Sequence, residues 1–99
     1  MKDFQQTEKF MMRDSRNSCA EYDEAYRNVL KVYRFYDNNS LSNHCEIMNY
    51  LYNSKNNKLT LEGVADKAHI NDNTLRRYRR KYTAWFKYFL ETSDDEDII

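Results

Sequence analysis

A 99-residue chain with no proline and a single glycine has few ways to reverse direction. Strand-rich folds need frequent turns, and turns draw on Gly, Pro, Asn or Asp. In this sequence asparagine does nearly all of that work, gathered in a few clusters such as Asp37-Asn38-Asn39-Ser40 and Asn53-Ser54-Lys55-Asn56-Asn57-Lys58. The segments between the clusters are long enough for helices. The expected fold is therefore all-α, a small helical bundle of four to five helices.

The length fits one small domain. A domain of this size buries only part of its apolar surface, which makes self-association a route to extra stability. Aromatic residues make up 15% of the chain, with nine tyrosines. That load is far from the composition of disordered segments, and tyrosine gives a small core large apolar area with a polar rim.

Hydrophobic periodicity places the helices. Residues 2–12 carry a weak pattern with Phe4, Glu8 and Met11 on one side, and Ser15 to Ser18 read as a break. Residues 19–37 form a strong helix, with Tyr22, Tyr26, Val29, Tyr33 and Tyr36 in 4-3-4-3 spacing. Ala25 and Val32 widen that stripe, and Glu24, Arg27, Lys31 and Arg34 lie opposite. Ser18 with Glu21 reads as a capping box, and Asp37 to Ser40 as the stop. Residues 42–54 form the next helix, with Cys45, Ile47, Met48, Leu51 and Tyr52 inward and Ser42 or Asn43 as cap. Residues 60–69 follow, capped by Thr60, with the small face Val64, Ala65 and Ala68. Residues 72–91 form the last helix, capped by Asn71, with the seam Leu75, Tyr78, Tyr82, Trp85, Phe86 and Phe89. In domain terms, 1–18 is an N-terminal segment, 19–91 a helical domain, and 92–99 a mobile acidic tail.

Several chemistries find no support. Cys19 and Cys45 lack metal-ligand or disulfide-framework spacing. No apolar run reaches the ~20 residues of a membrane span, and the first residues lack a signal-peptide core. His44 and Cys45 project about 100° apart on a helix and do not make a nucleophile–base pair; Cys45 is expected buried and His44 exposed. No phosphate-binding glycine loop or paired-carboxylate motif is present. A cytoplasmic protein with reduced thiols, no metal, no cofactor and no enzymatic activity is expected.

Net charge is zero but unevenly spread. Residues 1–54 carry seven basic and eight acidic groups, residues 55–90 nine and three, and residues 91–99 five acidic and no basic groups. The middle block holds the most informative stretch, Leu61 to Arg80, with four arginines in five positions. It reads as a helix, a three-residue turn and a second helix. A basic helix alone is usually a solvated face. Here the packing residues add to it: Ala65 is small where a second helix crosses, Ile70 plugs the turn, and Leu75 and then Tyr78 face the core. Those are the requirements of a helix-turn-helix, here at 60–82, whose second helix enters a DNA major groove.

The segment KLTLEGVADKAHINDNTLRRYRRKY resembles the helix-turn-helix of bacterial and phage transcription regulators, through the pattern LT-x-x-x-x-A-x-x-x-x-I-x-x-x-TL-x-RYR-x-KY. It is similar to region four of sigma factors and to small phage regulators of the ArpU and RinA type, over about residues 45–90. It departs in having His69 where many members place glycine. The resemblance implies a small transcription regulator of phage or mobile-element origin that binds double-stranded DNA in a sequence-specific way. It puts Asn71, Asp72 and Asn73 at the tip of the recognition helix and Arg76, Arg77 and Arg80 on its exposed face as base-contacting candidates. Arg bonds guanine and Asn bonds adenine in bidentate fashion. Thr60, Lys67, Thr74 and Lys81 are the phosphate-contacting candidates. Asp72 repels phosphate unless it meets a cytosine amino group or an arginine.

Other readings share this fold. As a protein-interaction module the chain contacts RNA polymerase or another regulator and binds DNA weakly. As the DNA-targeting part of a recombinase or terminase small subunit it works inside a larger complex. A homodimer fits two-fold DNA sites. The acidic tail reads first as a solubilising end, and alternatively as a phosphate mimic competing for the basic face of the same chain.

Overall fold

Six helices and their connections make up the backbone that the computed structural model describes, residues 2–53 and 60–96, and no strand occurs among those residues. They are α1 (Lys2–Phe10), α2 (Arg13–Ser18), α3 (Ala20–Asn39), α4 (His44–Tyr52), α5 (Leu61–Ala68) and α6 (Asp72–Glu96). The expected all-α bundle is present, with one short helix more than the sequence pattern gives. No helix among the described residues is long and apolar enough to cross a membrane. The polar loop expected over Asn53 to Lys58 lies, beyond Asn53, outside the described residues.

One core joins α3, α4, α5 and α6. Tyr26, Val29 and Tyr33 of α3 meet Ile47, Met48 and Tyr52 of α4, Val64 and Ala65 of α5, and Leu75, Tyr82 and Phe86 of α6. Met11, from the turn between α1 and α2, is fully buried in the same cluster. Around Met11, α1 lies against α6, and α2 against α3.

Four local expectations are corrected. Residues 15–18 are helical, and the break falls instead at Met11 and Met12. The short α2 is held by tertiary contacts of Arg16, whose guanidinium lies over the Tyr26 ring and bonds the Tyr52 carbonyl. The Ser18–Glu21 capping box does not form, because Cys19 is the extended residue that opens α3 and the Ser18 hydroxyl donates back to the Asp14 carbonyl. Tyr36 and Trp85, expected in apolar seams, are exposed and line an open cleft together with Tyr33, His44, Tyr78 and Lys81. The acidic segment is not a free tail from residue 92, since α6 runs on through Glu96. The helix extends roughly 21 Å along its axis between Arg80 and Asp94 at 1.5 Å per residue. Residues 92–96 therefore cannot fold back onto Arg76, Arg77 and Arg80 of their own helix.

The boundary between α3 and α4 also differs. Helix α3 continues past Asp37 to Asn39. Asp37, expected as a stop, reaches across to open α4. Its carboxylate accepts the backbone N–H groups of His44 and Cys45, each at 2.9 Å, and the Ser42 hydroxyl at 2.8 Å. Asn43 occupies the N-cap position without a side-chain cap bond, and Ser42 acts only through Asp37. A carboxylate at a helix N-terminus satisfies orphan donors and meets the positive end of the helix dipole. Burial pushes the Asp37 pKa up, but these hydrogen bonds outweigh it and leave the carboxyl below its ordinary value of 3.8.

A folded pKa below the unfolded one means stability that is present above the unfolded value and lost as pH falls through the folded one. Asp37→Ala is expected to cost about 1–2 kcal/mol at pH 7. The gap from the wild type should narrow once the pH drops below about 4. Urea unfolding across that range measures both. A gap that stays constant down to strongly acidic pH would remove the carboxylate from this role.

Candidate nucleic-acid interface

The two helices flanking the three-residue turn His69-Ile70-Asn71 are fixed by their caps. Thr60 opens α5, its hydroxyl accepting the Gly63 N–H at 3.0 Å. At the other end His69 takes φ 58° and ψ 42°, the one non-glycine residue with positive φ among those described. The His69 N–H reaches the Asp66 carbonyl at 3.2 Å and the Ile70 N–H the Ala65 carbonyl at 3.0 Å. These paired bonds close a Schellman motif, the usual left-handed stop of a helix. The turn position at which glycine is usually favoured does have positive φ here, and histidine adopts it. Asn71 then opens α6, its Oδ1 accepting the Thr74 N–H at 2.8 Å. Ala65 and Leu75 are buried where α5 and α6 meet, and Ile70 is packed against the same core.

Four arginines in five positions cannot all point one way on a helix of 3.6 residues per turn. Arg79 lies on the buried side, following Leu75 and preceding Tyr82 in 4-3 spacing. There it meets Glu8 of α1: Nε donates to Oε2 at 2.9 Å and Nη2 to Oε1 at 2.5 Å. The Tyr52 hydroxyl of α4 donates to the same Oε2 at 2.9 Å. Only 20% of the Arg79 side chain and 13% of the Glu8 side chain is exposed, so this is a mostly buried bidentate pair. Its hydrogen bonds to Glu8 raise the Arg79 pKa further.

With Arg79 turned inward, Arg76, Arg77 and Arg80 are exposed, together with Asn73, Lys81 and Lys87. At 100° per residue Asn73, Arg76, Arg77, Arg80 and Lys87 share one face, with Lys81 at its margin. Arg77 is steadied by the Thr74 hydroxyl at 3.4 Å. The remaining candidates differ in what they have free. Asn71 and Thr60 are exposed, but each commits its side-chain oxygen to a cap. Asp72 is exposed and makes no ion pair with an arginine among the described residues. Lys67 extends from α5 with its ammonium 5.5 Å from the Tyr50 ring centre.

His44 is not the exposed residue its sequence position implied. Its Nδ1 lies 2.7 Å from the Tyr82 hydroxyl, and its ring packs on Tyr33 and Tyr78. Burial pushes its pKa below the usual histidine value, and Lys81 adds to that while Asp37 opposes it. The ring lines the same cleft as Tyr36, Lys81 and Trp85. Cys45 is half-buried, its N–H taken by Asp37.

Comparison with known protein families, with curated proteins and with solved structures returns no significant match for this chain. The physical requirements of the turn can be tested directly. A left-handed backbone costs a non-glycine residue about 1 kcal/mol. His69→Gly is expected to raise stability by up to about 1 kcal/mol, and His69→Val to lower it by about 1–2 kcal/mol. Chemical denaturation measures both changes. A valine variant as stable as the wild type would contradict the left-handed turn.

Proposed function

We propose that α5, the turn and α6 form a DNA-reading helix-turn-helix, and that the chain is a small transcription regulator that binds double-stranded DNA through the outer face of α6. The single observation that carries this reading is the division of the arginines. One of four is anchored internally by Glu8, which leaves three exposed together along the first two turns of a capped helix. A major groove admits a helix, and arginine is the commonest side chain reading guanine there. The short capped turn and the buried Ala65 and Leu75 support the same reading, because they hold α6 at a fixed attitude to α5.

In this reading Arg76, Arg77 and Arg80 contact bases, with Asn73 and Asp72 at the leading end. Lys67, Lys81 and Thr74 contact phosphates. Asn71 and Thr60 contribute through the helix ends they cap, where exposed backbone N–H groups attract phosphate. A second reading, a module that docks on RNA polymerase or another regulator, is favoured by the exposed aromatic side chains Phe35, Tyr36, Trp85 and Tyr88. The same side chains suit a homodimer on a two-fold site.

Selection of bound duplexes from a random DNA pool identifies the site, and variants then assign roles. Arg77→Ala or Arg80→Ala is expected to cost about 1–3 kcal/mol in binding and to relax preference at one base position. A uniform loss across all sequences would reassign that arginine to phosphate contact. A pool that yields no enriched sequence would leave the docking-module reading in its place.

A further inference from the structure

A second basic surface is built from α2, α3 and the end of α4, with no residue from α6. It is an open cleft of about 360 Å³ lined by Arg16, Arg27, Lys31, Arg34, Asn53 and the carboxylate of Asp23, with Tyr26 and Leu30 as its floor. The volume lies at the lower end of the ~300–1,000 Å³ typical of small-ligand sites. Four cations face one carboxylate.

Arg16 sets the chemistry. Only 9% of its side chain is exposed. Its guanidinium lies 3.9 Å from the Tyr26 ring centre and donates through Nη2 to the Tyr52 carbonyl at 3.4 Å and to the Asn53 side-chain oxygen. Both acceptors are neutral. The nearest carboxylate, Asp23, is 3.9 Å away and is already bonded to Arg27 at 2.8 Å. The Arg16 Nε is buried without any acceptor. Burial lowers its pKa; Tyr26 and Asp23 oppose that, while Arg13 and Arg27 add to it. A buried cation with neither a full counter-charge nor a complete set of acceptors is costly. Arg27, Lys31 and Arg34 around it deepen the deficit of negative charge.

We propose that this cleft is an anion site for a phosphoryl group, with Arg16 as its inner anchor and Arg27, Lys31 and Arg34 as its rim. Arginine forks match the oxygen geometry of phosphate, and a diphosphate supplies the multiple charge that the cleft lacks. The same chemistry comes from two sources, a free phosphorylated small molecule or the backbone of a nucleic acid. The site is independent of the α6 face, and its test is separable from that of the DNA reading.

The test is calorimetric titration of the full chain with inorganic pyrophosphate at low salt. Lys31 and Arg34 are exposed, so the double variant Lys31→Glu/Arg34→Glu keeps the fold. The wild type is expected to bind one pyrophosphate with a dissociation constant below about 1 mM. The double variant should bind at least about tenfold more weakly, and Arg77→Ala/Arg80→Ala should bind as the wild type does. Duplex DNA distinguishes the sources. If Lys31→Glu/Arg34→Glu also weakens duplex binding, the cleft grips a nucleic-acid backbone; if duplex binding is unchanged, it serves a free phosphorylated ligand. Absence of saturable pyrophosphate binding would overturn the site, as would binding unaffected by the charge reversals or equally weakened by the α6 substitutions.

Discussion

The bidentate pair between Glu8 and Arg79, with the Tyr52 hydroxyl on the same carboxylate, is the constraint on which the rest of the molecule depends. It joins α1, α4 and α6 at one point and spans 71 residues of sequence. A charge so nearly removed from water is tolerable only when paired and hydrogen-bonded. Glu8 provides both the charge and the geometry for Arg79, and Tyr52 takes up remaining capacity on the carboxylate. The consequence for α6 is rotational. With Arg79 locked inward, the helix cannot roll about its axis, and Arg76, Arg77 and Arg80 are held outward. The N-terminal segment is thus part of the machinery that aims the basic face.

How much of this was legible in the sequence depends on the kind of interaction. The Thr60 and Asn71 caps, the buried Ala65 and Leu75, and the stress on His69 follow from local rules, and the structure has all of them. What the pattern obscured was long-range. Glu8 sits between Phe4 and Met11 on the apolar side of its helix, and Arg79 sits between Leu75 and Tyr82 on the seam of α6. Each was a charge at a core position, which is the sequence signature of a buried partner. Neither charge reveals its partner without the fold. The same holds for Asp37, which reads as a helix stop and serves as the cap of the next helix, and for Arg16, whose contacts with Tyr26 and Tyr52 stabilise a helix that local propensity disfavours. The loss of Tyr36 and Trp85 from the core has a simpler cause: a periodic stripe is drawn as if a neighbour covered its whole length, and at those positions the stripe lines an open cleft.

The charge distribution acquires a structural meaning from these contacts. The chain is neutral as a whole, so bulk electrostatics give it no general attraction to polyanions. Any such attraction is local, set by which arginines have a carboxylate partner and which do not. On α6 the neutralised residue is Arg79, and Arg76, Arg77 and Arg80 share one exposed face. On α2 and α3 the balance is reversed: the buried Arg16 is the one left short of charge, and a cleft has formed beside it. The first arrangement suits an extended anion read along a helix, and the second a compact one held in a pocket.

The central claim, that the outward arginines of α6 engage duplex DNA, is tested most directly by the salt dependence of binding. Fluorescence anisotropy of a random-sequence duplex between ~50 and ~200 mM salt gives the slope of log affinity against log salt, which is about −0.9 for each phosphate neutralised. On a random-sequence duplex, where binding is non-specific and the arginines meet phosphates instead of a matched base, engagement through Arg76, Arg77, Arg80 and Lys81 predicts a slope of roughly −3 to −4 for the wild type, reduced by about 2–3 when the three arginines are replaced together by alanine. A slope near zero, or one that the triple substitution leaves unchanged, would contradict the account.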